Sequence, residues 1–258
     1  MIKYKQAMLT ISLCCCALFL TNACTPAKHQ VITPSKPLDG FNGATVFVNE
    51  TIIVKNDDTF DGSGKLYEWT GEGDCSQREG MPPMFKLSPG SSIKNLWIKN
   101  APDGIHIKGS NIIIDNIVNV DVCEDAISIS KSKHHSVGEN IKIINSRFFH
   151  CQDKAIQMTR GSNILIKNNE FYNCAKAIRV KEQAHNIRFE NNKVFSSKNA
   201  IKVTGGKAYI KDNYFENAKY AFWAEKNGTV IDEGGNTFRN IESKYKEIEN
   251  GKIIFKSN

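Results

Sequence analysis

The chain of 258 residues is short of several things, and each shortage excludes a class of protein. It has only 7 prolines, and its Gly count of 18 follows no triplet rule, so collagen-like and proline-rich fibres are excluded. Hydrophobic residues at 40% argue against a disordered tail. Lys and Arg (34) outnumber Asp and Glu (27), a net charge of +7, yet there is no run of five basic residues and no zinc-finger spacing. Nucleic acid is therefore not the expected partner. The surplus charge suits some other anion, such as an acidic glycan. No Cys-x-x-Cys occurs, so metal binding by cysteine is not expected. After the first 23 residues no apolar segment approaches 18 residues, which excludes a polytopic membrane protein.

What is there begins at the N-terminus. Met1-Ile-Lys-Tyr-Lys5 is a basic start, an apolar stretch runs from Ala7 to Leu20, and Thr21-Asn-Ala-Cys24 follows. This predicts a cleaved export signal over 1–23, with Cys24 as a candidate for lipid attachment and 24–38 as a linker. The protein is expected outside the cytoplasm, secreted or periplasmic, with the membrane touched only through a lipid on Cys24. Removal of 1–23 takes away Lys3 and Lys5, leaving a charge of 32 − 27 = +5. Cys75, Cys123, Cys151 and Cys174 can form two disulfides in an oxidising compartment, and three pairings are open.

A phrase then repeats. Asn111-Ile-Ile-Ile-Asp-Asn, Asn140-Ile-Lys-Ile-Ile-Asn, Asn163-Ile-Leu-Ile-Lys-Asn and Asn186-Ile-Arg-Phe-Glu-Asn form one series. Asp103-Gly-Ile-His, Asp125-Ala-Ile-Ser, Lys154-Ala-Ile-Gln, Lys176-Ala-Ile-Arg and Asn199-Ala-Ile-Lys form a second, and Tyr220-Ala-Phe-Trp continues it. A fixed step near 22 residues marks a solenoid. The period within each phrase is two, so the units are strands. Leu-x-x-Leu-x-Leu is missing, which sets aside leucine-rich repeats. The expected fold is all-β, a single-domain right-handed parallel β-helix over 39–258, in which stacked coils share one core. Asn at the corners suits left-handed backbone and can bond from coil to coil. Residues 131–138 make one coil longer, and 242–249 are expected to cap the end.

Stacking turns repeats into columns about 4.8 Å apart. The residue that opens the second phrase runs Asp103, Asp125, Lys154, Lys176, Asn199. Glu124 adds a third acid and Arg179 a third cation. Three crowded carboxylates repel unless a cation sits among them. An all-oxygen donor set suits Ca²⁺. Acids on two coils followed by cations on the next two form a groove that fits an acidic sugar chain such as polygalacturonate, with chemistry of the β-elimination kind: cations stabilise the enolate that forms as a base removes the C5 proton.

Together these phrases resemble the small pectate lyases of polysaccharide lyase family 3. The resemblance runs from about Thr45 to about Phe238. It is carried by Thr59-Phe-Asp-Gly62, Gly73-Asp-Cys-Ser-Gln-Arg-Glu-Gly80, Met84-Phe-Lys-Leu87, Asp103-Gly-Ile-His106, Val122-Cys-Glu-Asp-Ala126, Asp153-Lys-Ala-Ile-Gln157 and Lys176-Ala-Ile-Arg179. It implies calcium-dependent cleavage of pectate by a monomeric enzyme. Asp103, Glu124 and Asp125 would be calcium ligands, Lys154 and Lys176 contacts to substrate carboxylates, and Arg179 the general base, with Lys176 as the alternative base. Ile107 stands where the family usually has cysteine, and Cys151-Gln152 precedes Asp153 in place of a small pair. His106 is expected to pack structurally. A polygalacturonase would need Asn-Thr-Asp and Gly-His-Gly, both absent. The rival from another class is a non-catalytic acidic-glycan-binding β-helix, which would use Trp97, Trp223, Tyr172 and Arg147 but has no need of acids beside cations.

Overall fold

Residues 41–73, 75–76, 80–129 and 138–256 are described in a computed structural model of the chain. The expected signal, Cys24, the linker over 24–38, and His134 and His135 lie outside the described residues. Twenty-two strands and no helix occur among the described residues, and the chain winds as a parallel β-solenoid of about nine turns.

Each full turn lays strand along three faces, two of which can be served by one long strand that rounds a corner, as in Lys154–Lys167 and Lys176–Glu190, so three parallel ladders run along the solenoid. The sheet that matters here stacks Ile52–Val54, Pro83–Leu87, Asp103–Ile107 and Asp125–Ile129. It continues through 154–158, 176–181, Asn199–Thr204, Tyr220–Glu225 and Ser243–Glu247. Alternation sets which side chains go inward: Ile105, Ile127, Ile156, Ile178, Ile201 and Phe222 stack in register and are fully buried. On the other sheets Phe148 lies flat on Phe171 at 5.0 Å, and Tyr172 stacks between Phe149 at 4.8 Å and Phe195 at 4.9 Å. No coil buries its apolar side chains alone, so each depends on its neighbours.

Asparagine makes the corners. Asn111, Asn140, Asn163 and Asn186 all have positive φ, which Asn tolerates better than most residues. The side-chain amides of Asn140, Asn163 and Asn186 donate to the Oδ1 of the Asn one coil earlier, at 3.1, 3.3 and 2.7 Å respectively. A second ladder is buried: Asn192 Oδ1 accepts from the backbone N–H and Nδ2 of Asn169, and Asn192 Nδ2 donates to Ile166 O and Asn213 Oδ1. These bonds satisfy backbone groups that the corners would otherwise leave unpaired.

The disulfides are Cys75–Cys123 and Cys151–Cys174. The second joins neighbouring coils, 23 residues apart. One expectation is corrected: 242–249 is not a cap. Ser243–Glu247 pairs in parallel register with Tyr220–Glu225, and Lys252–Phe255 with Thr229–Asp232, so the segment belongs to a further coil. The sequence lacks the Ala-Ile phrase there, but strand pairing is made by backbone and does not need it.

Candidate active site

The site lies on the outward side of the sheet just described. Lys154 is opposite Asp125 on one side and Lys176 on the other. Asp103 occupies the same position one strand before Asp125, as the register of Ile105 with Ile127 requires. Arg179 is opposite Gln157 on the next outward position, three residues along. By register Asp103, Asp125, Lys154 and Lys176 form one column over four successive coils, Arg179 lies three residues along the last of them, and Glu124 is close enough to Asp125 for its charge to act on it.

The backbone is tight between the two aspartates. A Cβ on Gly104 would lie 2.2 Å from the Ala126 carbonyl oxygen, which explains glycine where the other coils carry alanine. The chain also bends there. In a straight strand residues i and i+3 face opposite sides, yet His106 Nε2 is 2.5 Å from Asp103 Oδ2. Asp103 Oδ1 in turn accepts the Gly104 N–H at 3.0 Å. His106 thus holds one of the acids rather than merely packing.

Asp125 is only 2% exposed and Lys154 only 3%. Lys154 Nζ lies 3.0 Å from Asp125 Oδ1, an ion pair outside hydrogen-bond alignment, so that this buried oxygen has no aligned donor. Burial pushes the Asp125 carboxyl up to about 7; Lys154 opposes the shift, while the charges of Asp103 and Glu124 add to it. Lys154 moves the other way. Burial disfavours its charge, but Asp125 and Asp153 outweigh burial and raise it above the usual lysine value. The two directions are compatible because Lys154 faces two carboxylates and Asp125 faces one ammonium and two like charges. Lys154 is thus a fixed cation, suited to stabilise charge and not to take a proton.

Asp153 was not assigned a role from the sequence. It accepts a close hydrogen bond from Lys154 Nζ on Oδ2 and one from Lys176 Nζ on Oδ1 at 2.5 Å. Burial works against its charge, but these bonds and the two ammonium charges win and hold its carboxyl below the usual range. The only signal for it was adjacency to Lys154, and strand alternation would have placed it on the opposite side.

Arg179 is half-buried, and its Nε is buried with no hydrogen-bond partner. Its charge helps lower the Glu225 carboxyl, where burial is outweighed chiefly by the bonds from Lys202 and Thr204. A recess of about 330 Å³ opens beside Arg179, lined also by Thr159, Lys181, Thr204 and Lys226.

Fitness for a metal ion divides into chemistry and placement. The donors are carboxylate oxygens, the type a hard cation takes, and the unaligned Asp125 Oδ1 and the crowded charges would both be relieved by one. As the side chains stand, Asp103 is turned to His106 and Asp125 to Lys154. No three acidic, histidine or cysteine side chains among the described residues converge on one point.

The family model described as pectate lyase matches residues 36–248. A protein named probable pectate lyase F from Aspergillus flavus is 33% identical over 116 residues, covering 43% of this chain and 47% of that protein. Probable pectate lyase E from Aspergillus clavatus is 32% identical over 151 residues, covering 54% of this chain and 55% of that one. The chain spans about half the length of these curated relatives. Among solved structures, the catalytic unit of a thermostable α-1,3-glucanase from Streptomyces thermodiastaticus shares the fold, with a TM-score of 0.51 at 12% identity over 85% of this chain and 63% of that one. Since the family match runs through every coil that carries the acids and the cations, the chain belongs to the pectate lyase family.

Proposed function

We propose that this protein is a lyase that cleaves polygalacturonate by β-elimination in the groove between Asp103 and Arg179. The observation that carries this reading is the segregation on one flank: buried acids on two coils, paired lysines on the next two, and an arginine with an unpartnered, buried Nε beside them.

The residues divide the work by their surroundings. Lys154 and Lys176 bind the carboxylate of the sugar that loses its proton, and their positive charge lowers the energy of the enolate that forms. Asp153 holds the two ammonium groups in place for it. Asp103 and Asp125, once turned away from His106 and Lys154, would hold Ca²⁺ together with Glu124, and the ion would supply further neutralisation of substrate carboxylates. Arg179 takes the C5 proton. Accepting that proton requires the neutral guanidine, and the assay below is therefore run in alkaline buffer. The electron pair of the C5–H bond becomes the C4–C5 double bond, the C4–O bond breaks, and the leaving oxygen is protonated by solvent. The products are a 4,5-unsaturated oligogalacturonate and a shortened chain. Export of a monomeric chain, with residues 1–23 removed, fits a polymeric plant-wall substrate.

The test is incubation of the purified chain with polygalacturonate in alkaline buffer, followed by ultraviolet absorbance of the unsaturated product. A rise that EDTA abolishes and Ca²⁺ restores is expected. Arg179→Ala should lose about 10²- to 10⁴-fold in turnover, the range for removing a proton-transfer group, while still binding substrate. Retained turnover would move the base to Lys176. New reducing ends without the absorbance would mean hydrolysis, and binding with neither signal would mean a lectin-like protein.

A further inference from the structure

The outward column that holds Arg179 does not end there. In register it continues Arg179, Lys202, Trp223, Lys246 on four successive strands. The column that holds Lys154 and Lys176 continues Asn199, Tyr220. Beyond the groove both columns thus run into an aromatic pair, with the Tyr220 and Trp223 rings edge to face at 5.4 Å.

Three observations set this patch apart from an ordinary solvated surface. Lys202 and Lys246 sit over the Trp223 ring, with their ammonium groups 4.3 and 3.8 Å from its centre, and Lys246 is also 4.7 Å from the centre of Tyr220. Ring faces hold cations in place without neutralising them. Secondly, the charges are unbalanced. Glu225 pairs with Lys202 at 3.0 Å, but among the described residues no carboxylate lies within ion-pair distance of Lys246 or Arg179. Thirdly, Trp223 Nε1 is a buried donor with no acceptor. A fixed cation, an orphaned N–H and a half-buried ring edge are what an acidic sugar requires: a partner for its carboxylate, a donor to a ring oxygen or hydroxyl, and an apolar surface against its C–H groups.

We propose that Tyr220, Trp223 and Lys246 form a remote subsite for a further uronate residue of the same polymer. The substrate would run along the solenoid axis towards the C-terminal coils. Lys246 stands three strands from Arg179, about 14 Å at the strand spacing. A chain of two sugar residues held at Arg179 does not reach it, whereas one of six does. This inference rests on the polygalacturonate reading above.

The test uses the full chain and two defined probes, oligogalacturonates of two and six residues, with binding followed by calorimetry. Trp223→Ala and Lys246→Gln should each weaken binding of the hexamer about 5- to 20-fold and leave the dimer within twofold of the wild type. The KM for long polymer should rise with little change in kcat. Lys246 is on the outward side of the sheet, so K246Q carries the test if W223A fails to fold. Unchanged hexamer affinity in a folded variant overturns the subsite. So does an equal loss for dimer and hexamer, which would indicate a general charge effect. If the wild type gives no unsaturated product and binds neither probe, the polygalacturonate reading itself fails, and the subsite with it.

Discussion

Replacing Asp125 by asparagine isolates the electrostatic tension in the groove. Asp125 is buried, and burial together with Asp103 and Glu124 lifts its carboxyl from 3.8 in an unfolded chain to about 7. The folded protein therefore binds this proton more tightly than the unfolded chain does. Between pH 3.8 and about 7 the unfolded state has already ionised while the folded state resists, so this group costs stability increasingly as pH rises, and the cost is complete above about 7. At about 1.4 kcal/mol per pKa unit, the gap corresponds to about 4 kcal/mol. For a protein of this size that is roughly 8–16 °C in Tm. Asp125→Asn keeps the shape and removes the charge, and Lys154 keeps Asp153 as a partner. In chelator, the wild type should melt lower at pH 8 than at pH 5, and the difference between wild type and D125N should grow with pH in favour of the variant. The window avoids the carboxyls that the fold pulls down, Asp153, Glu170, Glu225 and Glu233, which titrate below it. Calorimetric melts of both proteins across pH 5–8 measure the effect. Identical pH dependence in D125N and the wild type would refute the reasoning.

Other consequences follow from single contacts. Asn192→Ala deletes four side-chain hydrogen bonds in the buried ladder and strands the Asn169 N–H and the Ile166 carbonyl. Two buried unsatisfied groups cost about 2–6 kcal/mol, which urea unfolding should show as a lower midpoint; a loss under about 1 kcal/mol would mean that water replaces the amide. Asp153→Asn should leave the fold intact but cut kcat/KM about 10- to 100-fold by freeing the two ammonium groups it holds, and steady-state kinetics reads this directly. Gly104→Ala should disturb the close approach to Ala126 and lower both stability and Ca²⁺ affinity, as melting and calcium titration would show.

Much of this was legible in the sequence because a solenoid converts sequence spacing into spatial position. The recurrence of Ala-Ile after Asp125, Lys154 and Lys176 fixes their column, since a slip of one residue would expose Ile127, Ile156 and Ile178. What escaped lay at the bends, where alternation fails. Asp153 reaches both lysines, and His106 reaches Asp103, because the chain turns just before the strand. The pairing of Cys75 with Cys123 depends on where an irregular early loop meets the coils, and no repeat encodes that. The last coil was hidden for another reason. Ser243–Glu247 sets two lysines and a glutamate around Tyr245 where other coils carry Ala-Ile, so the apolar signature fades while the backbone pairing persists.

In the proposed function, one flank of the solenoid joins buried acids to fixed cations for elimination on an anionic sugar chain. Ultraviolet absorbance during incubation with polygalacturonate tests it most directly, with wild type, Lys154→Ala and Arg179→Ala compared with and without Ca²⁺. Absorbance is expected from the wild type in the presence of Ca²⁺, none in EDTA, and almost none from either variant. Undiminished absorbance from both variants, or no absorbance from the wild type under any condition, would contradict it.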